Sequence, residues 1–159
     1  MTHNSFQHPD QLRAFFSQSL SDMYRLEVPA YGTLIDIVAR INAGVEGVRS
    51  DGERHGAIRL GTAAELSLIG RVFAVLGLHP IGYYDLSVAG LPVDSTAFRP
   101  ITAGGFSISP FRMFTSLLRL DMLPDGLRAK AEAALASRQI FSNKGLVLLE
   151  KAEAEGGLS

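Results

Sequence analysis

The stretch Arg54-His55-Gly56-Ala57-Ile58-Arg59-Leu60-Gly61-Thr62 constrains the fold more than any other, because a strand pattern runs directly into a helix cap. Residues two apart along a strand share a face. His55, Ala57 and Arg59 therefore point one way, and Gly56, Ile58 and Leu60 point the other. The second set can be buried. Thr62-Ala63-Ala64-Glu65 follows as a capping box, in which hydroxyl and carboxylate satisfy free amides of the first turn. The helix then carries Leu66, Ile69, Val72, Phe73 and Leu76 at helical spacing, and Gly77 supplies a stop.

The segments around this unit set its order. Pro80 to Ser87 predicts a strand and Ala89 to Pro92 a turn. Ser95 to Ile101 predicts another strand, Ala103-Gly104-Gly105 a loop, and Phe111 to Arg119 a fourth strand. The order from His55 onward is thus β-α-β-β-β. Upstream, Leu12, Phe15, Phe16, Leu20, Met23 and Tyr24 recur at helical spacing from Pro9 to about Arg25. Glu27-Val28-Pro29 interrupts that helix, since the residue before a proline avoids helical backbone. A second helix is predicted from Thr33 to Ala43, with Leu34, Ile37, Val38 and Ile41 on one stripe; residues 47–53 read as a loop. Ala-rich helices are predicted over Asp125–Arg138 and Gly145–Glu155. The expectation is an α+β chain with three parts. They are an N-terminal helical segment, 1–53, a β-α-β-β-β module, 54–122, and C-terminal helices, 123–159, leading toward a second module.

Composition narrows the function classes. Fifteen Lys and Arg against sixteen Asp and Glu leave a net charge of −1, and the basic residues are scattered. No electrostatic footprint for nucleic acid results. No run approaches the roughly 18 apolar residues of a membrane helix. The N-terminus lacks the basic region and apolar core of a signal peptide, so a soluble cytoplasmic protein is expected. The chain has no cysteine, which excludes disulfides, thiolate metal sites and cysteine nucleophiles. Any metal site must use carboxylates, carbonyls or the four histidines.

His55 and Arg59 lie about 13 Å apart along a strand rising 3.3 Å per residue. A long arginine side chain spans part of that gap, so the face suits a small anion held by a metal near His55 and by Arg59. Spacing alone leaves open a polar strand face that binds nothing. Ser95, Ala97 and Arg99 repeat the small-and-basic pattern on another strand. Guanidinium is suited to a two-point grip on a carboxylate, although Arg59 and Arg99 also read as surface charges or ion-pair partners. Asp85 and Asp94 are candidate acids or ligands whose turn and strand-end positions favour local hydrogen bonding. Tyr83 and Tyr84 point to opposite faces, so at most one lines the His55 side and the other belongs to the core. No spacing supports a serine triad. Gly104-Gly105 is not a phosphate loop, and His3, His8 and His79 are given no role.

Four segments carry a family resemblance: Val28-Pro29-Ala30-Tyr31, Arg54 to Thr62, Gly82-Tyr83-Tyr84-Asp85-Leu86-Ser87, and Ser95-Thr96-Ala97-Phe98-Arg99-Pro100. Together they resemble the 2-oxoadipate dioxygenase/decarboxylase family, the hydroxyglutarate synthase group, from about residue 10 to the C-terminus. The resemblance implies a vicinal-oxygen-chelate-like fold built from β-α-β-β-β modules. It implies non-haem Fe(II) and O₂, and conversion of 2-oxoadipate to 2-hydroxyglutarate with loss of CO₂ in lysine breakdown. It implies iron held by two His and one Glu, with His55 as the first histidine and Arg59 as the arginine that contacts substrate. Arg99 and Ser95 join as weaker substrate-binding candidates, and no residue is assigned as a catalytic acid or base. The family's second His and its Glu lie downstream, and no position here corresponds to either. Since such a site needs three protein ligands, Fe(II) is expected to take its remaining ligands from an absent downstream segment.

Three functions follow as expectations. The first is the N-terminal part of that dioxygenase, inactive without its downstream half. Its partners are a 2-oxo dicarboxylate, O₂ and the missing half or a homodimer mate, with neither nucleic acid nor membrane among them. The second is a non-catalytic single module that binds a small anion through Arg59 and Arg99, or a partner subunit through its exposed sheet. The third is a small metalloenzyme sharing its site across a homodimer, with Asp85 as the carboxylate.

Overall fold

The computed structural model describes residues 7–45 and 54–158. The predicted loop over 47–53 lies outside them. Helix α1 (Pro9–Glu27) starts on a proline at its first turn, where the missing N–H is no loss. Helix α2 (Pro29–Asn42) begins at Pro29 rather than Thr33, for the same reason. A single residue, Val28 at φ −132°, makes the break between them. Strand β1 (His55–Leu60) leads through Thr62 into helix α3 (Ala63–Val75). The capping box is formed: the Glu65 amide donates to Thr62 Oγ1 at 3.1 Å, and the Thr62 amide donates to Glu65 Oε2 at 3.3 Å. After α3, Gly77 adopts φ +64°, a left-handed conformation that strains any residue with a Cβ.

Strand β2 (His79–Asp85) is followed by a 3-10 turn at Ser87–Ala89 and strand β3 (Val93–Arg99). Strand β3 starts and ends two residues earlier than the pattern predicts. It pairs with β2 and β4 along its length, and Pro100, which has no N–H to donate, stops it. The expected loop at Ala103-Gly104-Gly105 is instead the start of a short helix, α4 (Ala103–Ile108). Thr102 Oγ1 accepts from the Gly105 amide at 3.0 Å, and that cap outweighs the helix-breaking glycine pair. Strand β4 (Arg112–Leu118) precedes a 3-10 turn at Leu120–Met122 and two helices, α5 (Asp125–Ala136) and α6 (Asn143–Glu155).

The strands lie in the order β1-β4-β3-β2, with β1 parallel to β4 and the other pairs antiparallel. The α+β class and the strand-helix-strand-strand-strand succession are as the sequence predicts, with the short helix α4 added between β3 and β4. Helix α3 covers one face of the sheet. Leu60, Met113 and Phe98 meet Ile69, Phe73, Leu78 and Phe111 there, and the Phe73 and Phe98 rings meet edge-on at 5.0 Å. Each such side chain, fully buried, contributes about 1.5–3 kcal/mol. Among the described residues no helix is long and apolar enough to cross a membrane.

One charged residue sits inside this packing. Arg13 of α1 is fully buried. Its Nε donates to the Ser109 carbonyl at 3.0 Å, and Nη1 donates to the Leu76 carbonyl at 2.9 Å. Its Nη2 donates to the Gly105 carbonyl at 2.8 Å and to Asp10 Oδ1 at 2.6 Å. One guanidinium thus joins α1 to the end of α3 and to Gly105 and the C-cap Ser109 of α4.

Candidate metal and anion face

The sheet face away from α3 carries the candidate residues. His55, Ala57 and Arg59 are exposed while Gly56 and Leu60 are buried, so β1 alternates as its sequence predicts. The register arranges that face into cross-strand rows, because paired residues place their side chains on the same side. His55 pairs with Arg112, Ala57 with Phe114, and Arg59 with Ser116. Phe114 pairs in turn with Ala97, and Ser116 with Ser95. Ala97 pairs with Gly82, and Ser95 with Tyr84. Arg99 is two residues beyond Ala97 and so lies at the His55 end, while Ser95 lies in the Arg59 row.

The His55 ring stacks near Phe114, with centroids 6.4 Å apart and planes 20° from parallel. It borders a cavity of about 340 Å³ lined by Tyr24, Val28, Tyr31 and His55. The Tyr24 and Tyr31 rings meet edge-on at 5.8 Å across the α1–α2 break. This aromatic wall has no role in the sequence reading. Its signal was the Val28-Pro29-Ala30-Tyr31 segment, where the helix break forces the two tyrosines together.

The Arg59 end is held by its backbone. Arg138 Nη2 donates to the Arg59 carbonyl at 2.8 Å, and Arg138 Nε lies 3.0 Å from Glu65 Oε1. Glu65 Oε2 accepts from the Gly61 amide at 2.6 Å. A Cβ added at Gly61 would run into the Leu135 side chain of α5. Close approach therefore requires glycine there, and α3 and α5 together grip the end of β1. The Arg59 residue itself is exposed, and Arg99 is exposed with its guanidinium 5.2 Å from the Phe106 ring centre on α4.

Asp85 and Asp94 pair with each other across β2 and β3, in register with Leu117 and hence on the face opposite His55. Both act as local acceptors. Asp85 takes hydrogen bonds from the Ser87 hydroxyl and from the Ser87 amide at 2.8 Å, which hold its carboxyl below the usual range. Asp94 lies 3.4 Å from Arg119 and accepts from the Tyr83 hydroxyl, which raises the Tyr83 pKa. Asp85 therefore does not join His55 on one face, which removes the carboxylate of a site shared across a homodimer. Tyr84 stands on the His55 face and Tyr83 on the other, but neither is core: they are 50% and 65% exposed. Both sit on β2, an edge strand, and Tyr84 is on the face that α3 does not cover.

Among the described residues no group of three or more His, Asp and Glu side chains is gathered as a metal set. His55 fits one donor of a two-His-one-carboxylate set, and the described residues do not complete that set.

A helix on one face of this four-stranded mixed sheet is the arrangement of a vicinal-oxygen-chelate-type fold. A glyoxalase superfamily protein from Ralstonia eutropha shares this fold at a TM-score of 0.56 and 18% identity, over 92% of this chain and 46% of that one. Residues 16–159 match the 2-oxoadipate dioxygenase/decarboxylase family, and the chain belongs to it. A 2-oxoadipate dioxygenase/decarboxylase from Pseudomonas putida is 50% identical, over 99% of this chain and 38% of that protein. The crystal structure of hydroxyglutarate synthase from Pseudomonas putida in complex with 2-oxoadipate superposes at a TM-score of 0.92 with 48% identity. That match covers 98% of this chain and 38% of that one. The chain thus spans about 38% of the length of these relatives.

Proposed function

We propose that this chain forms one wall of a non-haem Fe(II) site that converts 2-oxoadipate to 2-hydroxyglutarate, and that a segment beyond these residues completes it. The stoichiometry closes: a six-carbon 2-oxo diacid and O₂ give a five-carbon hydroxy diacid and CO₂. The observation that carries the reading is the placement of His55 and Arg59 on one open face of β1 in a chain of this family. His55 supplies one metal ligand, and Arg59 pairs a substrate carboxylate. Arg99 and Ser95 line the same face. The metal, when bound, supplies O₂ activation. Phe114, Tyr24 and Tyr31 give the imidazole an aromatic border. In this reading the cofactor and the carboxylate partner serve lysine breakdown in the cytoplasm, and the helices of 123–159 lead into a second module.

A second reading, a module that pairs with another polypeptide, draws on α2. Leu34, Ile37, Val38 and Ile41 on one stripe are all exposed, and such an apolar stripe ordinarily packs against something. The remaining segment of the enzyme and a second copy of this chain are the two candidates to cover it.

Anaerobic Fe(II) titration separates the readings. The chain alone is expected to hold no stoichiometric iron. Mixed with the complementary segment of the Pseudomonas putida relative, it is expected to bind iron and release CO₂ from 2-oxoadipate. Tight stoichiometric iron binding by this chain alone would sink the proposal.

A further inference from the structure

We propose that Phe114 is a positioning residue for His55: its ring sets the plane of the imidazole and so aims the nitrogen that meets the metal. This rests on the functional reading above and deepens it. The torsion that turns an imidazole about its Cβ–Cγ bond is broad and lacks three sharp wells. The backbone of β1 fixes which face of the sheet His55 occupies, but it leaves the ring plane to the neighbours. The ring borders the cavity of about 340 Å³ that it lines with Tyr24, Val28 and Tyr31, and it has room to turn there. It stacks on Phe114, with planes 20° from parallel and centroids 6.4 Å apart. That separation is in the range of an offset stack between two flat rings.

The sheet register explains why these two rings meet. His55 pairs with Arg112, and Phe114 pairs with Ala57 on one side and Ala97 on the other. Phe114 is therefore a diagonal neighbour of His55, about 8 Å away between Cα atoms from strand spacing and rise. An aromatic side chain spans that distance. The direct partners of Phe114 on both adjoining strands carry only methyl groups, so neither blocks a ring that leans along the sheet. Its diagonal neighbours on β1 are His55 and Arg59, and the ring stacks on His55. Phe114 is half-buried and belongs to a strand paired on both sides, so it restrains the imidazole from a rigid element. A metal ligand has to be held to within about 10–20° of its productive direction by the groups packed around it. A flat partner limits the tilt of the imidazole plane while leaving the nitrogens uncovered at the ring edge.

The 159-residue chain, free of metal, gives the first readout. NMR of the His55 ring should show contacts to the Phe114 ring and a ring-current shift. Phe114→Leu keeps an apolar side chain at this half-buried position and should move the His55 ring signals toward those of an exposed histidine. Phe114→Tyr keeps the flat ring and should leave them in place. The second readout is Fe(II) affinity in the complex with the complementary segment of the Pseudomonas putida relative. Phe114→Leu should weaken it about two- to tenfold, the size of one aromatic pair, and Phe114→Tyr should restore it. Unchanged His55 ring signals in Phe114→Leu would overturn the proposal. So would parental iron affinity in Phe114→Leu where His55→Ala abolishes binding. Iron retained in His55→Ala removes the metal reading instead, and the ring signals of the metal-free chain still decide whether Phe114 sets the imidazole plane.

Discussion

Replacing Arg13 with Met should destabilise the chain by about 3–5 kcal/mol, the range for removing one partner of a buried pair. The structure sets that size. The Leu76 and Ser109 carbonyls each lose the side-chain donor that reaches them, and an unpartnered buried carbonyl costs about 1–3 kcal/mol. The Gly105 carbonyl keeps the Ser109 amide at 3.0 Å, so its loss is small. Asp10, whose side chain is 13% exposed, loses its cation. For a chain of this size each kcal/mol moves the melting temperature by about 2–4 °C, so the midpoint should fall by about 10 °C. Urea denaturation, with the slope unchanged and the midpoint lowered, is the assay. Arg13→Lys should recover only a minor part, because one ammonium cannot span carbonyls on two helices. A loss under about 1 kcal/mol for Arg13→Met would refute the view that this guanidinium joins α1, α3 and α4, since that is the size of an ordinary substitution.

Four further outcomes are expected. Arg59→Ala in the assembled enzyme should weaken substrate binding by about 2–5 kcal/mol if a carboxylate is left buried and unpaired; an unchanged KM for 2-oxoadipate removes Arg59 from the site. Gly61→Ala should destabilise by about 1–3 kcal/mol through overpacking against Leu135, read by thermal melting, and Leu135→Ala should relieve much of it. Arg138→Ala should raise KM more than it lowers kcat, because it frees the Arg59 backbone, and Arg138→Lys should rescue it partly. Asp85, Asp121 and Glu153 are held below the usual carboxylate range by Ser87, Arg119 and Arg71 respectively. A carboxylate with a depressed folded pKa adds stability above its ordinary value of about 4, lost as pH falls through the folded value. The melting temperature should hold from pH 7 to about pH 5 and fall modestly below about pH 4, since these groups are solvent-screened; a rise on acidification contradicts the assignment.

The residues differ in how openly they announced themselves. The strand-to-helix unit from His55 to Gly77 was legible because alternation, capping box and terminal glycine agree, and each works through near neighbours. The start of α2 was misplaced because Pro29 reads as a breaker, although a proline also fits a first helical turn. The glycine pair at 104–105 concealed α4, whose cap depends on Thr102. Arg13 gave no signal at all. It sits on an otherwise ordinary amphipathic helix, and its carbonyl partners are more than sixty residues away in sequence. The rows of the open face were half legible: alternation placed His55 with Arg59, but only the register brings Ser116 and Tyr84 beside them.

We propose His55 as one ligand of an iron site completed from outside this chain. The most direct measurement is the iron content of the complex between this chain and the complementary segment of the Pseudomonas putida relative, with His55 and with His55→Ala. One iron per complex, falling to none in the variant while the complex stays assembled, is the predicted result. Equal iron in both would contradict it.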